Sequence, residues 1–264
     1  MSGMSASPSD ELGLDDAPAP TNARRPLDRR HSADGRRPFD AVLCDVDGVV
    51  RLWGDGMERL DEVYGLPAGT LAAHAFAPHR LEPAITGQVT DEEWRTAVAH
   101  DLSAPCGSLD RARRLVADWS SLVGEVDQAV LDLLATARRH VPVALVSNAT
   151  TRLEHDLAKL GILDAVDVVI NTAQLGVCKP DVRVLRHAAE RVGASPGRCL
   201  FVDDSAGNVE AARTLGMTGV HYRSFEDLRT ALAWLPEGAV PAPTHSPAPT
   251  RTWTRTTSEQ STRA

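Results

Sequence analysis

Val42-Leu43-Cys44-Asp45-Val46-Asp47-Gly48-Val49-Val50 carries a short apolar run into two carboxylates one residue apart, with a glycine directly after them. Apolar runs of this length, rich in Val and Leu, have the pattern of a strand buried on both faces. Ligands of an open parallel sheet gather at the carboxyl ends of its strands. Asp45 is therefore expected where strand gives way to loop, with Asp47 already in the loop. Alternation along an extended chain would turn both carboxylates to one side, and Gly48 permits a sharp turn away from the sheet. Two close carboxylates repel unless a proton or a cation separates them. A hard divalent cation such as magnesium answers that need, because it takes oxygen ligands and keeps positions open for phosphate.

Outward from this stretch the pattern changes twice. Residues 53–121 read as helical, with no strand pattern among them. Pro67 suits the first turn of a helix running through Leu71 toward Phe76. Thr90 with Glu93 is a capping-box signature, and Ser108 precedes Leu109, Leu115, Val116 and Trp119 at helical spacing. From Val126 onward, helices and strands alternate. Helix stripes fall at Val130–Ala135, Leu153–Leu160, Val184–Val192, Val209–Leu215 and Phe225–Leu235. Strands are expected at Val141–Val146, Val166–Ile170, Cys199–Val202 and Gly219–Tyr222. Gly161, Gly193 and Gly216 stand where three of these helices should end. Such alternation predicts an α/β fold, a Rossmann-like parallel sheet with helices on both faces. The helical stretch reads as a small insertion between the first strand and the rest. The expected division is a catalytic core over 38–52 and 122–235, a helical cap over 53–121, and solvated, disordered tails over 1–37 and 236–264. The first tail is rich in Ser, Pro, Ala, Asp and Arg and the second in Pro, Thr, Ser and Arg, and neither shows a helical or strand period.

Composition narrows the function. The chain has 264 residues, 42% of them hydrophobic, enough for one sizeable core with a smaller second domain. A formal net charge of -8 argues against nucleic acid as a partner, and the basic pairs near the N-terminus are interleaved with acidic residues. No apolar run is long enough for a membrane span. The N-terminus lacks the apolar segment of a signal peptide. Cys44, Cys106, Cys178 and Cys199 show no metal-ligand spacing, and Cys44 and Cys199 read as small buried hydrophobes. A reducing cytoplasm is the expected location.

The residues that close each expected strand are polar and unlike one another. The first strand ends at Asp45 and Asp47, the second at Ser147 and Asn148, and the fourth at Asp203 and Asp204. Lys179 and Pro180 follow the third. A parallel sheet brings all of these to one edge. Carboxylates with magnesium would hold one side of a phosphate, while Ser147, Asn148 and Lys179 hold the other. Phosphoryl transfer then needs an in-line nucleophile and a proton donor. Taken singly, each residue has an ordinary alternative. An Asp at a strand end can be a turn former, Ser147 or Asn148 a helix cap, and Lys179 a surface lysine. Ser205 and Asn208 read as caps of the following helix. In the helical insertion, Trp53, His74, His79 and Arg80 are candidates to face a substrate, against the alternative of packing or solvation, and Met57 reads as packing.

In this order, Asp45-Val-Asp-Gly-Val-Val, Ser147-Asn148, Lys179-Pro180 and Asp203-Asp204 resemble the four motifs of the haloacid dehalogenase (HAD) superfamily, over about Phe39 to Leu235. The helical insertion is similar to the small α-helical cap of its subfamily I. The run from Phe201 to Arg213 resembles the branch of subfamily IA that holds sugar-phosphate phosphatases and the phosphatase domain of soluble epoxide hydrolase. The resemblance implies a magnesium-dependent phosphatase acting on a small phosphorylated metabolite through an aspartyl-phosphate. It implies Asp45 as nucleophile and magnesium ligand, and Asp47 as general acid and base that touches the metal through its backbone carbonyl. Ser147 and Asn148 would bind the phosphoryl group, Lys179 would steady nucleophile and phosphate, and Asp204, with Asp203 beside it, would complete the metal site. A phosphoglucomutase-like isomerase, a haloacid dehalogenase and a non-catalytic binding module on the same fold are the competing readings. Asp47 argues against the dehalogenase, which needs no metal and normally lacks that second aspartate. The identity of the substrate and the oligomeric state are left open by the sequence.

Overall fold

The computed structural model describes residues 37–236; both tails expected from composition lie almost wholly outside them. The strands are β1 (Ala41–Cys44), β2 (Arg51–Leu52), β3 (Glu125–Val126), β4 (Val143–Ser147), β5 (Val168–Asn171), β6 (Cys199–Asp203) and β7 (Thr218–His221). Helices α1 (Gly56–Val63), α2 (Thr70–Ala75), α3 (Pro78–Ile85), α4 (Asp91–Asp101) and α5 (Leu109–Ser121) lie between β2 and β3. They are followed by α6 (Gln128–Arg138), α7 (Leu153–Lys159), α8 (Thr172–Leu175), α9 (Val182–Val192), α10 (Ala206–Thr214) and α11 (Phe225–Ala231).

Five strands form a parallel sheet in the order β5-β4-β1-β6-β7. The chain steps outward from β1 to β4 and β5 on one side, then to β6 and β7 on the other, so β1 marks the point where strand order reverses. Side-chain alternation builds a core on each face. Val42 and Cys44 of β1, Val143 and Leu145 of β4, and Leu200 and Val202 of β6 face one apolar cluster, shared with α6 and α7. The intervening Ala41, Leu43, Ala144, Val146, Cys199 and Phe201 face the other, covered by α9 and α10. Because every residue of β1 is buried, its sequence reads as a continuous apolar run and does not alternate.

The five helices between β2 and β3 have a separate core. Trp94 and Trp119 meet edge to face at 5.1 Å in it, the geometry favoured by their ring quadrupoles. Thr90 and Glu93 form the expected capping box at α4, and the Ser108 side chain caps α5. The helix placed at Pro67 begins later, at Thr70; Pro67 instead accepts the Thr70 amide and hydroxyl through its carbonyl. The last helix stops at Ala231, short of the expected Leu235. An antiparallel ribbon, Arg51 opposite Val126 and Leu52 opposite Glu125, joins the insertion to the sheet.

Insertion and sheet meet at the Thr150–Thr172 side. Thr172 Oγ1 donates to the Ile85 carbonyl at 2.7 Å, and Thr150 Oγ1 to Asp91 Oδ1 at 2.8 Å. Gly87, at φ +70°, sits where a Cβ would fall 1.9 Å from the Ala173 carbonyl oxygen, so only glycine allows this approach.

Candidate active site

The three central strands end in Asp45, Ser147 and Asp203 at one edge. The Asp45 amide continues the β1–β6 ladder by donating to the Val202 carbonyl at 2.8 Å. One carboxylate oxygen, Oδ1, accepts from the Val46 amide at 2.7 Å and pairs with Lys179 Nζ at 2.9 Å. Lys179 is 1% exposed. Its ammonium also pairs with Asp203 Oδ2 at 2.7 Å and donates to the Val146 carbonyl at 2.8 Å. All three of its N–H groups are thus engaged, which is how a buried ammonium is accommodated.

The Asp203 carboxylate is fully buried. It accepts from the Ser205 amide at 2.8 Å and from Asn208 Nδ2 at 3.0 Å, besides Lys179. Asn208, expected only as a helix cap, therefore fixes this carboxylate from the first turns of α10. Asp204 faces the same space: oxygens of Asp45, Asp203 and Asp204 lie within 4.8 Å of one another. A Cβ at Gly48 would fall 2.2 Å from Asp204 Oδ2, so glycine there, at φ +84°, makes room for the carboxylate as well as the turn.

Burial, and then the neighbouring Asp203, push the Asp45 carboxyl well above the ordinary carboxylate range; Lys179 offsets only part of this. Asp204 is pushed up to about 6 by burial and by Asp203. Burial lowers Lys179, and Asp203 with Asp45 more than offsets it, holding the ammonium above its ordinary value. Three carboxylates against one ammonium leave negative charge in excess, and the donors are all hard oxygens. In octahedral magnesium, trans oxygens lie roughly 4 Å apart. A trio spread over 4.8 Å or less fits such a cation after a small contraction, and it lacks the nitrogen and sulfur donors that zinc prefers.

Asp47 stands apart from this trio. Its Oδ1 accepts from Arg51 Nε and from Trp53 Nε1, each at 2.7 Å, and its Oδ2 from Arg51 Nη2 at 3.0 Å. Asn148 does not present a free amide. Its Nδ2 donates to the Lys179 carbonyl at 2.9 Å and its Oδ1 accepts the Lys179 amide at 2.8 Å, fastening the loop that delivers the lysine. Ser147 is buried at the end of β4, opposite Asn171. Among the other candidates, Trp53 reaches the site through Asp47. Arg80 pairs with Asp101 at 2.6 Å, His74 meets its own helix at the Thr70 carbonyl, and Met57 packs against the core of the insertion. Arg51 and Asn208 were the site residues that sequence reasoning missed; the signal for Arg51 is its four-residue spacing from Asp47 across the turn at Gly48, which brings the two side by side.

Carboxylates, a buried lysine and a serine thus converge where the strand order of a parallel α/β sheet reverses, the place where such folds bind ligands. The family pattern "haloacid dehalogenase-like hydrolase" matches residues 39–216, and the chain belongs to that family. Phosphatase MT3486 of Mycobacterium tuberculosis is 29% identical over 186 residues, 68% of this chain and 85% of its own length. The sesquiterpene phosphatase astK of Aspergillus oryzae is 32% identical over 69% of this chain and 89% of its own. Among solved structures, the HAD family enzyme BT-2542 of Bacteroides thetaiotaomicron, complexed with magnesium and inorganic phosphate, superposes with a TM-score of 0.56. It is 20% identical and covers 68% of this chain and 92% of its own, a likeness of fold.

Proposed function

We propose that this hydrolase is a magnesium-dependent phosphatase acting on a small phosphorylated metabolite, sugar phosphates among the candidate class, through an aspartyl-phosphate on Asp45. The observation that carries the reading is the Lys179 ammonium lodged between Asp45 and Asp203. It holds one carboxylate at the strand end in a fixed orientation without neutralising the whole cluster. Magnesium would be held by Asp45 and Asp204, with Asp203 beside them fixed by Lys179, Ser205 and Asn208, and would offset the charge that gathers around the phosphoryl group.

An Asp45 carboxylate oxygen attacks phosphorus as the bond to the leaving oxygen breaks, and Asp47 gives that oxygen a proton. Water then attacks phosphorus, the bond to Asp45 breaks, and Asp47 takes the water proton. That proton is the one available to the next leaving group, so the cycle returns both aspartates to their starting forms. Ser147, buried at the same edge, is the group proposed to bind phosphoryl oxygens. The Asn148 side chain acts there by holding Lys179. The helical insertion is proposed to cap the site and select the leaving group. The cytoplasm is the proposed location, and no helix among the described residues is long and apolar enough to cross a membrane.

The test is phosphate release from a panel of phosphorylated metabolites, with magnesium and with a chelator, for the parent and Asp45→Asn. The parent should release phosphate only with the metal. The variant, nearly isosteric but a poor nucleophile, should fold and show no turnover above background. Full activity in that variant would sink the assignment.

A further inference from the structure

Arg51 is a buried guanidinium in an unusual position. Its side chain is 6% exposed, and its Nη1 has no hydrogen-bond partner among the described residues. Asp156 Oδ2 lies 3.9 Å from Nη1, close enough for attraction and too far for a hydrogen bond. A buried, unsatisfied donor is costly for stability. A buried group of this kind calls for an explanation.

The fork of the same guanidinium supplies one. Nε and Nη2 grip the two oxygens of Asp47, and the Trp53 indole N–H adds a second donor to Oδ1. The guanidinium also lies over the Trp53 ring, 4.8 Å from its centroid. The backbone fixes the group too: the Gly48 amide donates to the Arg51 carbonyl at 2.9 Å, and Arg51 pairs with Val126 in the ribbon. From behind, Asp156 is held by Arg152 Nε at 2.9 Å, and Arg152 Nη2 donates to the Ser120 carbonyl near the end of α5 at 2.9 Å. The carboxylate plane of Asp47 is therefore set by a rigid neighbour on the strand that leads into the helical insertion.

A carboxylate offers about four lone-pair positions, two on each oxygen. Among the described residues, both on Oδ1 are taken and one on Oδ2 is taken. We propose that Arg51 is a positioning residue for Asp47. With Trp53, it fixes the carboxylate so that the remaining lone pair of Oδ2 exchanges the proton with leaving group and water. This rests on the acid–base role of Asp47 in the reaction given above. The proton passes from attacking water to Oδ2 as the phosphorus–Asp45 bond breaks, and from Oδ2 to the leaving oxygen in the next turnover. Arg51 itself stays protonated throughout.

The test uses p-nitrophenyl phosphate with magnesium, by rapid quench and steady state, on the full chain. The variants are Arg51→Gln, Arg51→Lys, Trp53→Phe and Asp47→Asn, with the doubles Asp47→Asn/Arg51→Gln and Asp47→Asn/Trp53→Phe. This leaving group needs little protonation. Arg51→Gln should therefore keep its phosphorylation burst while kcat falls roughly 10- to 100-fold, a part of the loss expected from removing a general base. KM should change less than threefold. Lys at this position should recover little, because an ammonium cannot fork. Each double should be no slower than Asp47→Asn within about twofold, the sign of residues acting as one unit. Losses that multiply in the doubles, or full rescue by Arg51→Lys, would overturn the proposal while leaving the role of Asp47 intact. A fully active Asp47→Asn would overturn both. If thermal melting shows Arg51→Gln unfolded, the half-exposed Trp53→Phe and its double decide by the same non-additivity.

Discussion

Replacing Lys179 by Met tests the electrostatic frame of the site. The substitution keeps length and removes an ammonium that touches Asp45, Asp203 and the Val146 carbonyl. What remains is a pair of carboxylates, one fully buried and one 7% exposed, with oxygens no more than 4.8 Å apart. At an effective dielectric constant of about 20, their repulsion is about 3–4 kcal/mol. Removing one partner of a buried ion pair costs a similar 3–5 kcal/mol, against a total domain stability of roughly 5–15 kcal/mol. The variant should therefore fold but unfold at clearly lower urea concentration, by about 3–5 kcal/mol at pH 8 in a chelator. The sign with pH follows from Asp45. Burial and Asp203 already hold it above the carboxylate range, and Lys179 opposes them. Without the lysine, the folded variant binds a proton at higher pH than the folded parent does. Its deficit should thus shrink as pH falls toward 5. Magnesium should also restore part of the stability by binding the folded state. Stability within 1 kcal/mol of the parent at pH 8 in chelator, or a deficit that grows on acidification, would refute this account.

Two further outcomes are expected. Gly48→Ala places a methyl group 2.2 Å from Asp204 Oδ2 at a φ of +84°. It should cost about 1–2 kcal/mol in backbone strain and raise the magnesium concentration needed for half-maximal activity at least tenfold; an unchanged magnesium dependence would show that Asp204 is no ligand. Asp204→Asn isolates the titration of that carboxyl. With a folded value of about 6 against 3.8, the folded parent holds more protons than the unfolded chain between about pH 4 and 6, so this group's penalty is absent at acid pH and grows as pH rises through that window. In chelator the variant should therefore be more stable than the parent at pH 7 and equal to it near pH 4, by at most about 3 kcal/mol before solvent screening reduces it; urea titrations at both values decide.

The strand-end residues were legible because one rule places them all. In a parallel sheet every strand points the same way, so Asp45, Ser147 and Asp203 meet at one edge whatever the packing around them. Strand β1 announces itself by being apolar throughout, a consequence of helices on both faces. Other features leave too little pattern. The ribbon strands Arg51–Leu52 and Glu125–Val126 are two residues each, too short for alternation to register. Helix α8 is a single turn. Pro67 is a permissible helix start, yet α2 begins after the left-handed Gly69, a turn that propensity alone does not place.

The site's supporting residues escaped for a different reason. Asn208 sits one turn into a helix where an amide normally meets water, and its task appears only when β6 and α10 are juxtaposed, bringing it to Asp203. Asn148 reads as a phosphate ligand from its motif, but its amide spans the gap to the Lys179 backbone. Arg51 lies in an apolar run between Val50 and Trp53, where a charge looks like an interruption. Its contact with Asp47 depends on the turn at Gly48, which brings Arg51 back beside Asp47 in an isolated bridge. Groups placed by strand direction can be read from order along the chain. Groups that contact those first ones from the side depend on a local fold of the backbone, and their signal is a spacing that many unrelated segments share.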